Sequence, residues 1–320
     1  MTSLAQVTAL VDAHVNRDHT RFRAITHQIA AHVSGRSARG ADQLRKLVDH
    51  QQAVTLVPLP SASGLLSVPP DLSSLDDMIL SPSVRERLDR VVLEQSRRLD
   101  LIGQGLRPAS KLLFAGPPGC GKTMATGALA RAVGLPMFRV ELHGVISQYL
   151  GETAGKLAKV FEHVRTMPAV YLFDEFDAIG SARGAQGSES AGSEMRRVVN
   201  SLLQFVEDDR SDSLIIASTN HAQMLDAAIF RRFDEMIMFG SPAKDEVVSL
   251  VARSLSAVDV AQLDFSAIYA AVANPRLGHA DVCAAVDRVR KDHVLAGAPI
   301  DTVRIVDALV RRPHAAEVLS

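Results

Sequence analysis

A chain of 320 residues, 47% of them hydrophobic, can bury a large core and has the length of about two domains. Its formal net charge of −1 supplies no general attraction to nucleic acid or to an anionic membrane, so neither is expected as a partner. No run of about twenty apolar residues reads as a membrane span, the first sixteen residues do not read as a secretion signal, and the two cysteines form no ligand cluster, so a cytoplasmic setting is expected.

Residues 1–53 carry apolar residues at helical spacing over Leu4–Val15, Arg21–Val33 and Ala41–Gln52, which predicts a small helical bundle serving as a substrate or partner module. Its four histidines, His14, His19, His27 and His32, do not share the spacing of a metal site, and its arginines read as a solvated basic face. Residues 54–75, with Pro58, Pro60, Pro69 and Pro70, read as an extended linker. A charged amphipathic helix is expected over Val84–Leu101.

The apolar strand Lys111–Ala115 then runs into Gly116-Pro117-Pro118-Gly119-Cys120-Gly121-Lys122-Thr123, and an Ala-rich helix follows from Met124. G-x-x-x-x-G-K-T between a strand and a helix is a phosphate loop: backbone N–H groups and a helix N-terminus surround the phosphates of a nucleotide. Residues Gly116 to Met124 are therefore expected to bind the nucleotide, with Lys122 on the β- and γ-phosphates and the Thr123 hydroxyl on Mg²⁺. Cys120 fills a variable position of the loop and reads as an inert small residue, a redox sensor being the alternative.

Further strands are expected at Pro136–Leu142, Ala169–Phe173, Ser213–Ser218 and Glu235–Phe239. The third strand of the series ends in Asp174-Glu175, the Walker B pattern, where Asp174 ligates Mg²⁺ and Glu175 polarises the attacking water. The fourth ends at Thr219-Asn220, a polar pair able to orient that water, and Arg231-Arg232-Phe233-Asp234 precedes the fifth. Strands alternating with helices predict a parallel sheet with the nucleotide at the carboxyl ends of its strands. Ser181–Ser193, rich in Ser, Gly and Ala, reads as a loop.

The ordered set Gly116–Thr123, Tyr171–Asp177, Ser218–Asn220 and Ile229–Asp234 resembles the AAA+ ATPases, in the branch of katanin, spastin and the Cdc48-like unfoldases, from about Asp76 to the C-terminus. The resemblance implies a five-stranded parallel α/β subdomain over 76–240 and a small helical lid over 241–320. It implies Asn220 as sensor 1 and Arg231 with Arg232 as the arginine finger, lent to a neighbouring subunit of a homo-oligomeric, usually hexameric, ring. Val145–Glu152 is similar to the first pore loop, in which Tyr149, followed by Leu150, would grip an unfolded protein chain. The lid turn Leu277–Asp281 departs from the family's pattern, being one residue shorter and carrying His279 where a small residue is usual. As a whole the chain is similar to stand-alone bacterial members that couple ATP hydrolysis to remodelling or threading of protein, with a separately encoded effector or protease as a possible partner. A DNA-acting loader and an ATP-dependent regulatory switch are the rival readings.

Overall fold

The computed structural model describes residues 64–69, 73–142, 150–176, 189–225, 227–273 and 277–312. All of them belong to the second of two units into which the chain divides, Ser61–Ser320. The helical module expected over residues 1–53 and the pore-loop residue Tyr149 lie outside the described residues; Leu150 is the first residue of a helix.

Among the described residues the sheet has six strands: β1 (Leu66–Ser67), β2 (Lys111–Ala115), β3 (Met137–Val140), β4 (Val170–Phe173), β5 (Leu214–Thr219) and β6 (Glu235–Met238), in the order β1-β3-β4-β5-β2-β6. The five expected parallel strands are present. β2, β4 and β5 are buried throughout, which is why they read as continuous apolar runs rather than as alternation. The sixth strand was not expected. β1 pairs antiparallel with β3, Leu66 opposite Val140 and Ser67 opposite Arg139, inside the segment read as a linker. Two residues among prolines are too few for a period to register, yet the Leu65 carbonyl accepts from Glu141 N–H at 2.9 Å and holds the edge in register.

Helices cover both faces. α1 (Pro82–Ser96) starts at the Ser81 cap with Pro82 in its first turn, and α2 (Arg98–Gly103) follows it. The single helix expected over Val84–Leu101 is thus broken at Arg97 (φ −104°, ψ 25°), beside the buried Gln95 amide, which donates to the Ala109 carbonyl at 2.7 Å. α3 (Lys122–Val133) is Ala-rich and packs Ala125, Ala128 and Leu129 with Leu88 and Val91 of α1 against Leu112 and Phe114 of β2. On the other face, α4 (Leu150–Thr166) stacks Phe161 on Phe173 of β4 (centroids 5.7 Å apart) and on Phe205 (5.1 Å) of α5 (Glu189–Asp208). α5 takes in Glu189–Ser193, the end of the segment read as a loop.

After β5 comes α6 (Ala227–Phe230), and after β6 the lid: α7 (Lys244–Ser254), α8 (Ala257–Ala261), α9 (Phe265–Ala273), α10 (His279–Ala296) and α11 (Thr302–Val310). The lid has its own core, Val247, Val251, Ile268, Val272, Val282, Val286 and Ile305, with Ile79 from the body packed against it. Full burial of each such side chain contributes about 1.5–3 kcal/mol.

Candidate functional site

β2 ends at Ala115 and turns through the glycine loop into α3. At Gly116 (φ +150°) a Cβ would lie 2.0 Å from the Phe239 carbonyl oxygen, so only glycine lets the loop leave β2 this close to the end of β6. α3 opens at Gly121 with no side chain capping it, leaving the cap to an incoming anion. Lys122, 7% exposed, folds back over the loop: its Nζ donates to the carbonyls of Gly116 (2.7 Å) and Pro117 (2.8 Å) and to Asn220 Oδ1 (2.9 Å). A phosphate oxygen is a stronger acceptor than these neutral ones and would draw the ammonium outward.

Asp174 follows β4, and both of its carboxylate oxygens are engaged. Oδ1 accepts from Ser218 Oγ and from Glu175 N–H (3.1 Å); Oδ2 accepts from Thr123 Oγ1 (3.2 Å) and pairs with Arg139 of β3 (3.2 Å). Among the described residues Glu175 is the only non-glycine with positive φ (54°), a conformation that costs about 1–3 kcal/mol and that its neighbours must enforce. They do so through Phe176, which is buried against Phe233 and donates its own N–H to the Ser218 carbonyl at 2.8 Å. The turn leaves Glu175 exposed on the rim of the cleft.

That cleft measures about 490 Å³ and is lined by loop residues, Asp174, Glu175 and Asn220 together with the apolar Met78, Ile79, Leu250 and Cys283. Polar donors beside an apolar slot match the two halves of a nucleotide. Thr123 and Asp174 offer hard oxygens side by side, the donor set Mg²⁺ takes together with phosphates and water. Cys120 is buried and its thiol is pushed up, chiefly by desolvation, which fits the inert reading.

The shortened lid turn does not take the lid away from the cleft. Ala280 N–H donates to the Gly119 carbonyl at 3.0 Å, and a Cβ on Gly278 would come within 2.8 Å of the Pro118 carbonyl, so the start of α10 is seated on the phosphate loop. His279 lines the cleft, its Nε2 3.5 Å from Glu246 Oε2; burial lowers its pKa and Glu246 opposes that shift.

Arg231 and Arg232 precede β6 and lie at the amino end of the sheet, in a depression of about 900 Å³ that also holds Arg107 and Lys111. Though larger than the cleft, this depression contains neither the glycine loop nor the Asp174–Glu175 pair. Arg232 is tied to Glu207 at 3.0 Å, whereas Arg231 is exposed and makes no hydrogen bond or ion pair with the described residues. Asp234, the last residue of the motif, is structural: its Oδ2 accepts from Ser110 N–H and Lys111 N–H, both at 2.9 Å, fastening β6 to the start of β2.

Residues 112–241 match the family model described as "ATPase family associated with various cellular activities (AAA)". An uncharacterized AAA family ATPase, y4kL, of Sinorhizobium fredii is 41% identical over 234 residues, 69% of either chain. The chain belongs to the AAA ATPase family. It is accordingly an ATPase. The peroxisomal ATPase PEX6 of Candida glabrata is 34% identical over 187 residues, 57% of this chain and 18% of the relative; PEX6 of Arabidopsis thaliana is 34% identical over 206 residues, 61% and 21%. The chain thus spans only about a fifth of these peroxisomal relatives. The solved AAA domain of FIGL-1 shares the fold, with a TM-score of 0.59, 21% identity, and coverage of 78% of this chain and 87% of that one. No described helix of the AAA protein is long and apolar enough to cross a membrane.

The structure brings Lys122, Thr123, Asp174, Glu175 and Asn220 together and keeps Arg231 and Arg232 apart from them. Sequence reasoning missed Arg139, one polar residue in a strand, and the apolar slot, whose members come from two segments more than 150 residues apart.

Proposed function

We propose that this ATPase works as a homo-oligomeric, hexameric ring that spends ATP on remodelling or threading protein substrates. The observation that carries this is the split between the two ends of the sheet. A five-residue strand, about 17 Å long, separates the nucleotide cleft from the exposed Arg231, more than an arginine side chain reaches. A cation so placed cannot serve its own nucleotide and is available to a neighbour's, which makes Arg231 the finger and leaves Arg232 to anchor the turn through Glu207.

Bound ATP with Mg²⁺ supplies the phosphoanhydride whose cleavage drives the work. The loop N–H groups and Lys122 hold the phosphates; Thr123 and Asp174 hold the metal; Asn220 orients water and Glu175 takes its proton. The apolar slot of Met78, Ile79 and Leu250 is the place for the base, so nucleotide occupancy registers at the interface of body and lid, where a conformational stroke can begin. Protein as substrate is supported by the resemblance to katanin and spastin and by the near-neutral charge, which offers DNA no general attraction. Tyr149 with Leu150 is the proposed grip on that chain, residues 1–53 the proposed recruiting module, and a separately encoded effector or protease a proposed partner. Adding an unfolded polypeptide or DNA to the full chain and measuring ATP turnover tests the assignment. Stimulation by polypeptide alone is expected; stimulation by DNA alone would replace it with the loader reading.

A further inference from the structure

Arg139 is the one exposed residue of β3; Met137, Phe138 and Val140 are buried. The register of the strand therefore gives it no part in the core and sets it beside the end of β4. There its Nη2 meets Asp174 Oδ2 at 3.2 Å, the same oxygen that accepts from Thr123 Oγ1. Thr123 donates to that oxygen, and the Arg139 guanidinium lies against it as an ion pair. Oδ1 is engaged in turn by Ser218 and by the Glu175 N–H. A divalent cation that takes up Asp174 therefore meets a positive charge already beside the carboxylate. The Thr123 and Ser218 hydroxyls can rotate their protons away, but a guanidinium and a metal on one oxygen repel. Arg139 is also the partner free to leave: its side chain is 44% exposed, against 15% for Asp174.

We propose that Arg139 is a resident counter-ion of the metal site, neutralising Asp174 when no divalent cation is bound and withdrawing when one arrives, so that it sets how much divalent metal the nucleotide pocket requires. This rests on the assignment of Thr123 and Asp174 as the residues that hold the metal. The device keeps the carboxylate positioned in the empty pocket and penalises metal binding by the strength of one partly exposed ion pair, about a two- to fivefold effect on affinity.

The test is a Mn²⁺ titration of the full chain saturated with ADP, with free Mn²⁺ read by electron paramagnetic resonance. Arg139→Ala and Arg139→Gln should reach half-saturation at about two- to fivefold lower Mn²⁺, and Arg139→Lys should stay near the wild type. A fluorescent ADP in EDTA should bind all four proteins alike, showing that fold and pocket are intact. Unchanged or weaker Mn²⁺ affinity in the Ala and Gln variants, with ADP binding intact, overturns the role of Arg139 alone; weaker affinity would mean that the arginine supports the metal site. Failure of the wild type to bind ADP both in EDTA and with Mn²⁺ would take down the nucleotide-site reading together with this one.

Discussion

In the proposed site, Lys122 and Glu175 would separate binding from chemistry. The ammonium has three neutral acceptors to exchange for phosphate, so Lys122→Ala should abolish tight nucleotide binding, as measured with a fluorescent ATP analogue. Glu175→Gln keeps the side chain's size and removes its basicity; it should retain ATP while turnover falls about a hundredfold or more. Equal turnover in the Gln variant would remove Glu175 from the chemistry. His163, in α4, makes a different prediction. It is buried beside Phe138, with Nδ1 2.6 Å from the Tyr171 hydroxyl, and desolvation lowers its pKa. The unfolded chain then takes up a proton, near pH 6.5, before the folded one does, so this contribution to stability is complete above about pH 6.5 and is lost as pH falls below it. Melting temperature should drop between pH 7 and 5 in the wild type and drop less in His163→Gln.

Among the elements, the legible ones were those whose chemistry demands fixed residue types at fixed spacing. Gly116 to Thr123 and Asp174-Glu175 could be placed on strand ends because motifs of that kind leave few alternatives, and β2, β4 and β5 because buried parallel strands are apolar runs. Arg139 was not legible, since its role depends on a pairing with Asp174 across 35 positions of sequence. The break between α1 and α2 was hidden because the charged, amphipathic pattern continues through Arg97, where the backbone leaves helical geometry. The seat of the lid on the phosphate loop was obscured by a turn of unusual length, although Gly278 was there to be seen. Gly278→Ala would set a methyl 2.8 Å from the Pro118 carbonyl, so the lid must shift or the loop must give. Overpacking of that kind costs about 1–3 kcal/mol, so the melting temperature of the nucleotide-free protein should fall, and nucleotide affinity should fall with it. Unaltered affinity would show that the lid does not report on the loop.

For the molecule as a whole, sequence placed two arginines side by side and could not tell them apart. The structure distinguishes them through Glu207, 25 residues before Arg232, which occupies one guanidinium and leaves the other exposed. An arginine finger is worth about a thousandfold or more in turnover, so Arg231→Ala should bind ATP and barely hydrolyse it, while Arg232→Ala should act mainly through the stability of the turn before β6. The most direct test is ATP turnover in a mixture of two inactive proteins, Lys122→Ala and Arg231→Ala, under conditions where native mass spectrometry shows mixed assemblies. A shared site predicts that the mixture regains part of the wild-type rate, because an intact pocket on one subunit meets an intact Arg231 from the next. A mixture as inactive as its components would contradict it.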